Sequence, residues 1–176
     1  HADKHRHILL IGHAGHPEVD GTMGQVNPND VTLIETVDDA QNVTPPEGVD
    51  LAFATQTTLS VDDTAEIISV LQFRFPDISG PRGEDICYAT TNRQKAVKDI
   101  AGAVDLMLVI GAENSSNSKR LVEVAKLAGA KEAFLIADKD AIDWSLVDGA
   151  DHIGLSAGAS APETLVEDVV SVLRQR

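Results

Sequence analysis

Six short apolar runs punctuate the chain, and after each the pattern changes to a polar loop or a helical spacing. The runs are HILLIG (7–12), VTLIE (31–35), VDLAFA (49–54), VDLMLVIG (104–111), EAFLIA (132–137) and HIGLSAG (152–158). They are continuous rather than alternating, as strands are when helices cover both faces of a parallel sheet. The helices carry their own start signals. Ser60 opens an S-x-x-D box ahead of Ile67, Ile68 and Leu71, with Pro76 as the stop. Ser115 or Asn117 can cap the next helix, which ends at Gly129. Ser160 and Glu163 form an S-x-x-E box with Pro162 in the first turn, where its missing donor costs nothing. Thr91 and Gln94 start another helix, whose expected apolar stripe is Ala96, Val97, Ile100 and Ala101. DDAQN and AIDWSLV are expected as short helices. The pattern predicts an α/β fold of two small parallel-sheet units with helices on both faces. The stretch FPDISGPRGED (75–85) breaks the rhythm with two prolines and two glycines, and sets the expected domains at 1–77 and 78–176.

Composition narrows the function classes. With 43% hydrophobic and 24% charged residues the chain has the material for ordinary globular cores. A formal charge of −14 argues against nucleic-acid or acidic-membrane partners, which need a basic footprint. No apolar run approaches the roughly 18 residues of a membrane span. The first residues, HADKHRHILL, lack the layout of a signal peptide, and the chain starts at His1 rather than at a methionine. One cysteine excludes an intrachain disulfide and fits a reducing, cytoplasmic setting. His1, His5 and His7 read as incidental residues of a chain end.

In open α/β sheets, ligands bind beyond the carboxyl ends of the strands. That rule selects His13, His16, Glu18, Thr55, Gln56, Thr57, Thr58, Ser115, Ser116, Asn117 and Ser160. Apart from Glu18 these are small or neutral polar groups beside expected helix starts, suited either to capping or to holding phosphate oxygens. The run NSSNS (114–118) exceeds what one cap requires. In GHAGHPE, Pro17 fits the first helical position, which puts His16 and Glu18 at the mouth of such a site. They could donate to an anion and relay protons, or could merely cap the helix and favour its dipole. Cys87, just ahead of a helix, is either a small buried hydrophobe or a thiolate ready to act as nucleophile or metal ligand. GLSAG (154–158) matches a hydrolase elbow, but no histidine follows Ser156 to complete a triad. Neither G-x-G-x-x-G nor a Walker A loop is present.

Taken together, GHAGHPEVDGTMGQ, TQTTLSVDD, DICYATTNRQKAV, NSSNSKRL and SAGASAPE resemble the 4-hydroxy-3-methylbut-2-enyl diphosphate reductases. The resemblance covers nearly the whole chain, with the motifs in that family's order. It implies a fold of three similar α/β domains around a [4Fe–4S] cluster held by three cysteines, of which Cys87 matches one. It implies that His16, Ser115, Ser116, Asn117 and Ser160 hold the substrate's diphosphate. Glu18 matches the residue thought to supply protons, and Thr57 the threonine beside the substrate hydroxyl. The implied reaction is a two-electron reductive dehydroxylation giving isopentenyl and dimethylallyl diphosphates, with ferredoxin or flavodoxin as electron donor. This chain then corresponds to the second and third domains, without the N-terminal domain that brings the other cysteines. The expectation is a chain that is inactive alone and holds no stable cluster. The alternative is a stand-alone diphosphate-binding module without redox activity.

Overall fold

The computed structural model describes residues 6–81 and 86–176. All six apolar runs form strands: β1 (Arg6–Ile11), β2 (Val31–Ile34), β3 (Asp50–Thr55), β4 (Leu106–Ile110), β5 (Glu132–Ile136) and β6 (Ile153–Ala157). The helices are α1 (Pro17–Met23), α2 (Val37–Asn42), α3 (Val61–Arg74), α4 (Tyr88–Ala101), α5 (Ser116–Leu127), α6 (Trp144–Asp148) and α7 (Glu163–Arg174). The chain divides into two compact units, residues 1–87 and 88–176.

In the first unit the sheet order is β2-β1-β3, all parallel, with Ile8 opposite Val31 on one side and Ala52 on the other. Because side chains alternate across a strand, β1 sorts its apolar residues between two cores. Leu9 and Ile11 pack with Ile34, Phe53, Ala40 of α2, and Ile67 and Leu71 of α3. Ile8 and Leu10 pack with Val31 and with Val19 of α1. Helices therefore cover both faces, and each fully buried aliphatic such as Leu9 contributes about 1.5–3 kcal/mol.

The second unit repeats the arrangement with order β5-β4-β6, again parallel. Met107 and Val109 face Val97 and Ala101 of α4 and Leu121 and Val124 of α5. Leu106, Leu108 and Ile110 face Val147 of α6 and Val169 of α7. In both units the helices that follow the central strand and its later neighbour, α1 and α3 or α5 and α7, lie on opposite faces. Their loops part at the C-terminal ends of two adjacent strands, which opens a crevice there.

Three expectations are corrected. The units divide at Cys87/Tyr88 rather than at 77/78. Past Pro76 the backbone closes on the edge of β3, where Phe53 N donates to Ser79 O (2.9 Å) and Ser79 N to Leu51 O (3.0 Å). Cys87 thus belongs to the first unit. Helix α4 begins at Tyr88, which places Thr91 inside it, and its buried face is Thr90, Gln94, Val97 and Ala101 rather than a stripe through Ala96 and Ile100. Ser160 caps nothing: α7 starts at Glu163, and Pro162 takes the cap position without a side-chain hydrogen bond. The other caps form, with Ser60 Oγ accepting from Asp63 N (3.3 Å) and Ser115 Oγ from Ser118 N (3.2 Å).

Among the described residues, no helix is long and apolar enough to cross a membrane. His1 and His5 lie outside the described residues. His7, expected to be incidental, is a buried residue of β1 with Nε2 2.8 Å from Thr32 Oγ1.

Candidate functional site

The crevice of the first unit lies between the β1–α1 loop and the loop after β3. Its floor is Gln56, 2% exposed, whose Oε1 accepts from His13 N (3.1 Å) and whose Nε2 donates to Thr58 Oγ1 (2.9 Å). Gly12 lets the loop pass, since a Cβ there would stand 2.6 Å from Val19 Cγ2. His16 is the N-cap of α1, with Pro17 next as expected, and its Nδ1 accepts from Glu18 N (3.2 Å). An accepting Nδ1 in the neutral ring puts the proton on Nε2, so the ring carries a donor on its other side.

Glu18 and Thr57 come together across 39 residues of chain. Glu18 Oε1 accepts from Thr57 N and Oε2 from Thr57 Oγ1, both at 3.0 Å. The two bonds fix the carboxylate plane and leave the threonine hydroxyl between Glu18 and whatever lies beyond it. Cys87 is exposed and joins the same neighbourhood through its backbone, its N donating to Thr57 O (3.3 Å). It is not the buried small hydrophobe.

The crevice of the second unit lies between the loops after β4 and β6. Gly111 and Gly158 end those strands, their amides donating to Ile136 O (2.9 Å) and Ile110 O (2.8 Å). Between them sits the start of α5. Ser115, its N-cap, and Ser116 are half-buried, and Asn117 is 8% exposed. Neither Asn117 Oδ1 nor Nδ2 has a hydrogen-bond partner among the described residues. Such an amide costs free energy unless something arrives to bond it, and the site of a hypothetical Cβ on Gly158 is 3.7 Å from Nδ2. Ser160 is exposed on the loop after Gly158. All of these groups can donate without carrying charge, which suits an anion held inside an acidic protein.

Two residues escaped the sequence reading. Arg93 of α4 donates from Nε to Ala157 O (3.0 Å) and from Nη1 to Ala89 O (3.3 Å), bringing a guanidinium to the end of β6. An arginine within a helix reads as a solvated charge, and nothing local signals this partner. Ser118 lies against both strand-end glycines; the glycines closing two apolar runs were the available clue.

The resolved pKa shifts lie elsewhere. The Thr36 hydroxyl, then the Glu35 amide, hold the Asp39 carboxyl below the usual range at the cap of α2. The hydrogen bond from Lys131, then the His152 amide, do the same for Asp105, before the first residue of β4. An apolar groove of about 450 Å³, lined by residues of α2 and α3 that include Phe73, contains none of the site residues.

Among the described residues, no group of three or more His, Cys, Asp or Glu side chains could hold a metal ion. Cys87 supplies one thiolate, so the residues present do not by themselves fit a cluster held by several.

A family model described as LytB protein matches residues 1–174. The chain is 61% identical over 176 residues to the 4-hydroxy-3-methylbut-2-enyl diphosphate reductase of Hyphomonas neptunium, covering 100% of this chain and 56% of that protein. To the enzyme of the same name from Gluconobacter oxydans it is 60% identical over 168 residues, covering 96% of this chain and 50% of that one. A solved structure of the Plasmodium falciparum E-1-hydroxy-2-methyl-but-2-enyl-4-diphosphate reductase superposes with a TM-score of 0.90 at 36% identity, covering 97% of this chain and 53% of that one. The chain spans about half the length of the curated relatives it matches.

Proposed function

Since the chain belongs to the LytB family, we propose that it forms the anion-binding and proton-delivering part of a 4-hydroxy-3-methylbut-2-enyl diphosphate reductase. The reaction breaks the allylic C–O bond. Two electrons and two protons enter, the hydroxyl leaves as water, and isopentenyl or dimethylallyl diphosphate remains. Ferredoxin or flavodoxin supplies the electrons. A [4Fe–4S] cluster would supply the redox chemistry; Cys87 would be one of its thiolate ligands, with the others contributed from outside these 176 residues.

The observation that carries this reading is the clamp of Thr57 on both oxygens of Glu18. A protonated Glu18 donates from Oε2 to Thr57 Oγ1, which turns its own proton outward to the leaving oxygen. Proton transfer from a positioned group typically contributes about 10²–10⁴-fold. The diphosphate is held by Ser115, Ser116, Asn117 and Ser160 in the second unit, where Asn117 offers an amide with two unmet hydrogen-bonding groups. A stand-alone diphosphate binder would have no use for the Glu18–Thr57 pair, which supports the enzyme over the module.

The test joins the chain to the remaining half of the Hyphomonas neptunium relative, with anaerobic reconstitution of iron and sulfide. The joined protein should turn over with a low-potential one-electron donor. Glu18→Gln should remove turnover while leaving inorganic pyrophosphate binding by the 176-residue chain unchanged. Undiminished turnover in Glu18→Gln would refute the proton role, and absent pyrophosphate binding would refute the anion role.

A further inference from the structure

Ser118, the third residue of α5, is 1% exposed. Its side chain is wedged between the ends of two strands. A Cβ on Gly111 would stand 2.6 Å from Ser118 Cβ, and a Cβ on either Gly111 or Gly158 would fall well inside contact distance of Ser118 Oγ. Only hydrogen fits at both positions, so the serine is held in one rotamer. Among the described residues its hydroxyl has one partner, Ser115 Oγ at 2.9 Å.

That geometry decides which hydroxyl donates. Were Ser115 the donor, the Ser118 proton would be buried with nothing to accept it, which is costly. With Ser118 as donor every group is satisfied. Ser115 Oγ then accepts from Ser118 Oγ and from Ser118 N (3.2 Å), which fills both of its acceptor positions. The remaining hydrogen-bonding function of Ser115 is its own proton. Ser115 is half-buried, which leaves that proton available to a ligand at the start of α5, where the amide of Asn117 is also unmet.

We propose that Ser118 is a positioning residue that makes Ser115 an obligate donor, so that the crevice selects fully ionised, acceptor-only phosphate oxygens. This rests on the anion-binding reading of the second unit and adds to it the residue that sets the polarity of the cradle. Ser118 touches no ligand itself; it removes the freedom of the Ser115 hydroxyl to rotate and present a lone pair.

The experiment is a double-mutant cycle on the 176-residue chain, read by calorimetric titration with inorganic pyrophosphate. Ser118→Ala should weaken binding about 3- to 10-fold, the worth of one oriented hydrogen bond. In a Ser115→Ala background the same change should have almost no effect, because no hydroxyl is left to orient. Equal losses in both backgrounds, or no loss in either, would overturn the proposal while leaving the anion site standing. If the unsubstituted chain does not bind pyrophosphate, the anion reading fails and takes this inference with it. A measurement without any variant guards against misfolding. In proton NMR of the unsubstituted chain, the Ser118 hydroxyl should exchange slowly with solvent and the Ser115 hydroxyl rapidly; the reverse order would also overturn the proposal.

Discussion

Asn117→Ala should make the ligand-free chain more stable and its ligand-bound form less so. The side chain is 8% exposed, and both its polar atoms lack partners among the described residues. Burying an unbonded amide costs about 1–3 kcal/mol on the scale of mutational data. Truncation removes that cost and, near the start of α5, adds a few tenths of a kcal/mol of helix preference. It leaves a void of roughly one water, ~30 Å³. At ~24 cal/mol per Å³ that void costs about 0.7 kcal/mol. The net is a gain of roughly 0.5–2.5 kcal/mol, or several degrees in Tm for a unit of this size. Thermal or urea unfolding of both proteins, with and without inorganic pyrophosphate, measures it. At a hundredfold excess over Kd the ligand adds about 2.7 kcal/mol to the parent. The variant should gain much less, so the order of stability should reverse on adding ligand. A ligand-free variant less stable than the parent by more than about 1 kcal/mol would refute the reasoning, because the amide would then have been bonded within the fold.

Gly158→Ala should destabilise the chain by about 1–3 kcal/mol, the cost of overpacking, because the new methyl meets Ser118 Oγ. Adding Ser118→Ala should recover much of that loss in urea unfolding, since Ser118 Cβ is 3.4 Å from the same position; additive losses would contradict the packing described. At the other edge of the second sheet, the Lys131 hydrogen bond lowers the Asp105 pKa from its ordinary 3.8. A lowered carboxylate pKa stabilises the folded state above the unfolded value, and that contribution is lost as pH falls through the folded value. Lys131→Met should therefore lower stability at neutral pH and flatten the acid limb of a pH series of urea midpoints; an unchanged limb would remove Asp105 from the account.

Local pattern was enough where the controlling forces are local. The apolar runs announce strands because β1 and β4 are buried on both faces, and Pro17 and Ser115 sit where helix geometry needs them. Ser160 was misread because S-x-x-E spacing matches a capping box whether or not the helix starts there, and with Pro162 at the cap it does not. The boundary was misplaced for a related reason. Proline and glycine reveal that a helix has ended, but not that Ser79 turns back to bridge Ala52. Gly111 is near Ser118 in sequence, but Gly158 and, 64 residues from Arg93, Ala157 lie beyond any local window, so the wedge at Ser118 and the partner of Arg93 are not written in their neighbourhoods. The pairing of Glu18 with Thr57 across 39 residues was legible only through the family resemblance.

The strand order within each sheet also bears on how the chain is made. In β2-β1-β3 and in β5-β4-β6 the strand in the middle is the one synthesised first. Each later strand adds to an edge that is already there, so no paired strands must separate to admit a newcomer. Each sheet is also built from one unbroken stretch of chain. Domains fold as units during synthesis, the N-terminal one first. The first sheet has all three strands once Thr55 has emerged, some fifty residues before β4 begins at Leu106, so the two sheets need not compete for strands as they form.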